Sequence, residues 1–220
     1  MSVVRLKRPR IGPRSAGVAM TPEEFDGLPE ERWVEGYRYE LINGVLVVSP
    51  PPADAEADPN DELGYLLRLH RDSQPDGPAF ETIPERTVPA TSQRRRADRV
   101  IWTGLGRNPD TATDVPSIVI EFVSRSKRDF QRDYQEKLRE YMNAGVREYW
   151  IIDRFRRVMV AHRRTFEGHE EVVIREGQSY RTDLLPGFEL ALSRLLTRGD
   201  QWPPQTRRPR KRKPPRGGNE

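Results

Sequence analysis

The 220-residue sequence contains no cysteine and only three histidines. The lack of cysteine excludes disulfide bonds, thiolate catalysis and zinc sites built from cysteine. No apolar run approaches the roughly 20 residues that a membrane-spanning helix needs. No apolar segment follows the basic N-terminal residues, as one would in a secretion signal. We therefore expect a cytoplasmic protein without a membrane partner.

Charged residues are abundant, at 33% of the chain, and they are unevenly distributed. Residues 1–20 carry a formal charge of +5 and residues 198–220 carry +6, which leaves −7 for residues 21–197 because the whole chain carries +4. This pattern predicts one α/β domain over 21–197 between two disordered basic tails, 1–20 and 198–220. The tails have the composition of nucleic-acid-binding arms, and equally of solubilising ends.

Strand and helix patterns alternate along the predicted domain. Thr21, Pro22 and Glu24 form a capping box for a short helix, and Asn43-Gly44 is a strong hairpin signal between two strands. Residues 53–60 have the composition of a polar loop. Beyond it we predict helices over 61–70 and 129–144, strands over 79–88, 97–102, 115–124 and 147–153, an antiparallel pair over 157–162 and 170–175, and a final strand or turn that runs into a short helix over 185–196.

Three residues of this pattern carry candidate chemistry. Glu121 lies in an Ile/Val run, where an ionised carboxylate is costly unless it is paired or bound to metal; alternatively it reaches solvent at the strand end. Asp98 begins a strand, but it could simply pair with Arg94, Arg95 and Arg96. These three arginines have the composition of a phosphate-contacting group, and equally of a solvated edge with Asp98 as partner. Lys137 borders the apolar stripe of the long helix, or else forms an exposed pair with Asp133.

An acid on each of two adjacent strands and a lysine nearby are what metal-dependent phosphodiester hydrolysis requires. Carboxylates hold Mg²⁺ and leave positions for water and a phosphate oxygen. The metal lowers the pKa of the water and stabilises charge at phosphorus, and a lysine helps to hold the nucleophile and the phosphate.

The segments "YELINGVLVVSP", "RRADRVIW" and "IVIEFVSRSKRDFQRDYQEKLREYMNAGVREYWIID" resemble the Uma-two family of restriction-endonuclease-like proteins, in the PD-(D/E)XK nuclease superfamily. The resemblance, over roughly residues 20–196, implies a restriction-endonuclease-like α/β (α+β) core with a mixed central sheet flanked by helices. It also implies an endodeoxyribonuclease that uses Mg²⁺ or Mn²⁺ and acts on DNA. A homodimer is plausible by analogy, because nucleases of this fold often pair to cut two strands.

The resemblance also implies roles for particular residues. Asp98 matches the first aspartate, Glu121 the second acid, and Lys137 a lysine that has moved from the strand, where Val123 now lies, to the following helix. Glu40 and the Phe122 carbonyl would be further metal ligands. The sequence departs from the family pattern twice. Ala97 replaces the signature proline, and residues 53–60 lack a histidine found in many members, with Asn60 near its place.

The sequence also supports one alternative function and argues against another. The acidic domain and the missing histidine favour a nucleic-acid-binding or accessory protein without turnover. A small-molecule α/β enzyme lacks support, because the sequence contains no Walker loop, Rossmann glycine fingerprint or serine nucleophile motif. His70, His162 and His169 have no ligand spacing, and we expect none of them to be functional.

Overall fold

The fold is described by a computed structural model, which places residues 9–74, 77, 79–90, 93–124 and 132–202. The tail segments 1–8 and 203–220 and the first residues of the predicted helix at 129–144 lie outside the described residues. Residues 9–20 do not behave as the free tail that their composition predicted. Ile11 is buried and pairs with Trp33, and Gly17 and Val18 hydrogen-bond to Leu46. The predicted tail boundary at residue 20 therefore lies too late.

A mixed sheet of eight strands forms the centre of the domain. Its strands are β1 (Arg38–Ile42), β2 (Val45–Ser49), β3 (Phe80–Ala90), β4 (Gln93–Thr103), β5 (Ile118–Phe122), β6 (Glu148–Asp153), β7 (Val158–Arg164) and β8 (His169–Arg175). The order is β2-β1-β4-β5-β6-β7-β8, and β3 also pairs with β4. The β5–β6 pair is parallel and the other ladders are antiparallel. Two short strands, β9 (Ser179–Arg181) and β10 (Glu189–Ala191), pair separately.

Helices cover both faces of this sheet, so the predicted fold class is confirmed. α1 (Pro22–Asp26) has the predicted Thr21 capping box. On one face, α2 (Asp54–Ser73) and α4 (Leu192–Asp200) pack over a core that includes Leu63, Ile120 and Trp150. On the other face, a π-helical turn over Arg132–Glu136 continues into α3 (Lys137–Ala144), whose Tyr141 packs with Val119 and Tyr149. No helix among the described residues is long and apolar enough to cross a membrane.

α2 begins seven residues earlier than the sequence pattern predicted. Residues 53–60 were expected to be a polar loop, but Asp54 already starts the helix, and Pro59 lies inside it. A proline normally marks a helix start or break, so Pro59 does not indicate a helix in this polar segment. Buried Ala55 and Pro59 in fact extend the apolar stripe of Leu63 and Leu67 at four-residue spacing. Because α2 begins at Asp54, its first turns lie at the candidate site, where Asn60 contacts the Asp98 carbonyl.

Candidate active site

β1 and β5 pair with different stretches of the same edge of β4, and the gap between them lies beside Asp98. β3 occupies the opposite edge, with pairs from Phe80–Thr103 to Ala90–Gln93. On the shared edge, Leu41 of β1 faces Arg94, whereas β5 pairs only from Arg99 onward. Side chains bridge the gap. The Arg96 amide donates to Glu40 Oε1 at 3.1 Å, and the Phe122 amide donates to Asp98 Oδ2 at 2.7 Å. Both acids therefore line the opening between two strands.

The alternation of β4 changes phase at Asp98. Ala97 and Val100 are three residues apart, yet both belong to the core on the α3 face, while Arg99 contacts Asn60 on α2. Opposite this point, Glu85 is left out of the β3–β4 register and has a φ of 52°. Asp98 therefore lies where the regular side-chain alternation of β4 is interrupted.

Lys137 meets Glu121 across the gap between α3 and β5. Its Nζ lies 2.7 Å from Glu121 Oε1, and the Tyr141 hydroxyl donates to the same oxygen at 2.9 Å. Glu121 and Lys137 are 3% and 2% exposed, so neither reaches bulk water. Burial and the charge of Glu121 raise the pKa of Tyr141 well above its usual value, which keeps its hydroxyl proton available for this bond. Asp98 joins the group through the amide of the residue that follows Glu121.

Arg38 is the direct charge partner of Asp98. Its Nη2 lies 2.7 Å from Asp98 Oδ1, and its Nε lies 3.0 Å from Glu85 Oε2. Burial lowers the pKa of Arg38, but the nearby carboxylates of Asp98 and Glu85 outweigh it and raise that pKa above its ordinary value. The prediction that Asp98 could pair with the arginines at 94–96 is therefore wrong. Arg94 pairs with Asp26, Arg95 with Glu140 and Arg96 with Glu85.

The solvent-exposed positions that the sequence left open for Glu121 and Lys137 are also excluded. Glu121 does not reach solvent at the end of its strand, and Lys137 is buried rather than exposed on its helix. Arg95 does not lie on a solvated edge, because it is 1% exposed. Within the described residues the structure thus gathers Glu40, Asp98, Glu121 and Lys137 around one gap in the sheet.

Two further charged residues of this region were missed at the sequence level. One is Arg38. The other is Glu56 in the first turns of α2, where burial and then the charge of Asp98 raise its pKa to about 7. Glu56 lies in a small cleft with Phe122 and Arg154. The apolar spacing from Ala55 to Leu67 was the signal that could have placed Glu56 on a helix.

In the part of the chain that the structure describes, none of the three histidines contacts the acids or the lysine at the strand gap. His70 bonds to the Pro186 carbonyl, and His162 is buried against Tyr149 and His169. Burial lowers the pKa of His162, so its ring is neutral near pH 7. Asn60, near the place of the histidine found in many family members, donates to the backbone carbonyl of Asp98 at 2.8 Å and accepts from Arg99 at 2.7 Å. It thus supports the strand and offers no ring nitrogen.

The donor set at the gap fits a magnesium-type ion in its chemistry. Among the described residues, no group of three or more acidic or histidine side chains is gathered closely enough to hold a metal by itself. Mg²⁺ sites, however, are usually built from one or two carboxylates, with water and substrate phosphates completing the coordination. Asp98 and Glu121 meet that smaller requirement, and each Asp98 oxygen, which accepts one hydrogen bond, still has a second lone pair.

A mixed sheet with buried acids and a lysine at a strand gap defines a nuclease-like α/β protein. The family model described as "Putative restriction endonuclease", Uma2, matches residues 22–193, and the chain belongs to this family. A crystal structure described as "a putative nuclease belonging to DUF820", from Anabaena variabilis, matches with a TM-score of 0.62 at 17% identity and covers 82% of this chain and 99% of its own. At that identity the likeness concerns the fold. No curated protein matches the chain. Membership of the family supports a nuclease function.

Proposed function

We propose that this protein is a divalent-metal-dependent endonuclease that hydrolyses phosphodiester bonds in DNA. The single observation that carries the proposal is the arrangement at the strand gap. Buried Asp98 and Glu121 are linked through the Phe122 amide, and Lys137 lies 2.7 Å from Glu121. Burying two acids and a lysine is expensive for a fold, and a catalytic site is one reason to retain them.

In this proposal Asp98 and Glu121 hold Mg²⁺ or Mn²⁺, with Glu40 and the Phe122 carbonyl as further candidate ligands. The bound ion would lower the pKa of a water molecule and stabilise charge at phosphorus. Lys137 orients the nucleophile and the transferring phosphate from α3, and its own position is set by Glu121. Tyr141 keeps Glu121 aligned through its hydroxyl hydrogen bond. The protein thus contributes orientation and charge at fixed positions.

A second candidate function is nucleic-acid binding without turnover. The absence of a histidine from residues 53–60, where Asn60 supports the backbone of Asp98 instead, favours it. The predicted domain also carries a formal charge of −7 between basic ends. Under this alternative the ends supply DNA affinity, and the buried acids are remnants of a catalytic site.

Plasmid cleavage distinguishes the two functions. The full chain would be incubated with supercoiled plasmid and Mg²⁺, Mn²⁺ or EDTA, beside Asp98→Asn and Lys137→Met. The proposal predicts nicked or linear product only with metal, reduced by about 100-fold or more in both variants. Asp72→Asn serves as the matched control, because Asp72 is an exposed acid on α2 with a side chain 69% exposed.

The outcome that contradicts the enzyme is metal-independent DNA binding without nicking in the wild-type protein. Equal activity of wild type and Asp98→Asn would contradict the assigned site and point to a contaminating nuclease. Unfolding curves for each variant must show a folded protein, since Lys137 and Glu121 also form a buried pair. A parallel reaction with single-stranded RNA tests the DNA preference, and light scattering with and without DNA tests for a homodimer.

A further inference from the structure

Arg38 reaches Asp98 from the neighbouring strand β1. We propose that Arg38 and a divalent metal ion compete for Asp98, so that Arg38 sets how tightly the candidate site binds metal. This inference rests on the metal site of the proposed function. Neither the family pattern nor the local sequence around Arg38 indicates a role for this residue.

The contact between Arg38 and Asp98 is short and poorly screened. The Nη2–Oδ1 distance is 2.7 Å, and the two side chains are 18% and 7% exposed. A guanidinium remains protonated at any pH at which the protein is folded. The positive charge beside Asp98 is therefore permanent, and only a movement of Arg38 can remove it.

A divalent ion bound to Asp98 would lie a few ångströms from this guanidinium. Two positive charges at that separation repel strongly in a partly buried site, where water screens them little. Lys137 adds a second positive charge near Glu121. Metal binding at Asp98 therefore competes with the Arg38 contact, and either the repulsion or a withdrawal of Arg38 reduces the observed affinity.

The surroundings of Arg38 allow such a withdrawal. Its Nε contacts Glu85 Oε2 at 3.0 Å, independently of Asp98. Glu85 has a second oxygen, Oε1, which is buried and has no hydrogen-bond partner in the part of the chain that the structure describes. A guanidinium has five N–H donors, so Arg38 could exchange Asp98 for the other oxygen of Glu85.

Calorimetric titration of the full chain with Mn²⁺ tests the competition directly. Arg38→Gln and Arg38→Met remove the charge, whereas Arg38→Lys keeps it. We expect both neutral variants to bind Mn²⁺ at least about tenfold more tightly than wild type. The Mn²⁺ affinity of Arg38→Lys should remain close to that of wild type. Arg94→Gln is the matched control, because Arg94 has a similarly buried side chain, 15% exposed, but pairs with Asp26. It should not change Mn²⁺ affinity.

Two comparisons separate this inference from the proposed function. The double variant Arg38→Gln/Asp98→Asn should lose the gain, which would tie the gain to Asp98. Mn²⁺ should also raise the melting temperature of Arg38→Gln more than that of wild type, a readout that needs no cleavage. Unchanged or weaker Mn²⁺ binding by both neutral variants overturns the competition, whether or not the wild type cleaves DNA. Tighter binding without cleavage supports the competition and counts against the endonuclease.

Discussion

Lys137 and Glu121 form a buried ion pair, with both side chains 3% exposed. Replacing one partner of such a pair leaves an uncompensated charge in a poorly hydrated place. We expect Lys137→Met to lower the free energy of unfolding by about 3 kcal/mol. Because Glu121→Gln removes the stranded charge, the double variant should recover a large part of that loss. Urea unfolding of the two single variants and the double variant measures the coupling. Strictly additive losses would show that the two side chains do not interact in solution.

The raised pKa of Glu56 predicts that the stability of the protein depends on pH. Its pKa is raised from 4.5 to about 7 in the folded protein, so between these values the native state retains a proton that the unfolded chain releases. Stability from this residue is therefore greatest below pH 4.5, falls as the pH rises to 7, and stays low above 7. We expect Glu56→Gln to be more stable than wild type by about 1–2 kcal/mol at pH 8 and nearly equal to it at pH 4.5.

Urea unfolding at both pH values measures this difference. Glu167→Gln is the control, because Glu167 is an exposed acid on the connection between β7 and β8. A constant difference between Glu56→Gln and wild type from pH 4.5 to 8 would contradict the raised pKa. It would instead indicate that the substitution acts through packing alone.

At the scale of elements, α2 and β4 meet at Gly64. A Cβ at this position would lie 2.5 Å from Arg99 Nη2, and that guanidinium is held by the Asn60 side chain and carbonyl and by Thr82. Replacing a helix-interior glycine by alanine normally stabilises a helix by about 1 kcal/mol. Here we expect Gly64→Ala to destabilise the protein by about 1–3 kcal/mol, because the core is overpacked.

Thermal unfolding of Gly64→Ala should therefore give a lower melting temperature than wild type, with a sign opposite to helix propensity. Tyr65→Ala is the control on the same turn, since Tyr65 is 53% exposed and its loss should change stability little. A stabilised Gly64→Ala would mean that Arg99 can leave its buried position at low cost. The same substitution should disturb Asp98, because Asn60 links Arg99 to the Asp98 carbonyl.

Features that depend on local chemistry could be predicted from the sequence. The Asn43-Gly44 turn and the Thr21 capping box both occur where their residue types indicated. Glu121 could be identified because a carboxylate in an apolar run is rare. Lys137 was indicated by its position beside the apolar stripe of its helix and by the family resemblance, and the structure places it 2.7 Å from Glu121.

Features that depend on contacts between distant segments could not be predicted. Arg38 is 60 residues from Asp98 in sequence, and nothing in its local pattern indicates that contact. Arg95 was expected in a group that contacts phosphate or lines a solvated edge. Its side chain is instead buried and pairs with Glu140 on α3. The helical position of Glu56 could not be predicted, because Pro59 and the polar residues around it have the composition of a loop.

At the scale of the whole molecule, positive charge is concentrated at the ends of the chain. Residues 203–220 contain seven lysines and arginines and one glutamate, whereas residues 21–197 carry −7. A protein that neutralises DNA phosphates releases counterions, so its affinity falls with salt at a rate set by the number of phosphates contacted. If the protein binds DNA through its basic ends, as the proposed function suggests, the C-terminal segment should supply much of that salt dependence.

Deleting residues 203–220 should therefore weaken DNA binding and reduce the slope of log K against log salt, by up to about 6 if all seven basic residues contact phosphate. Fluorescence anisotropy with a labelled duplex between 50 and 200 mM salt, roughly the range over which such contacts are lost, measures both quantities. Replacing the seven basic residues by glutamine in the full-length chain separates charge from length. Because Asp98 and Lys137 lie outside this segment, cleavage at saturating DNA should persist in both variants. An unchanged salt slope would assign DNA contact to the folded domain, despite its negative charge.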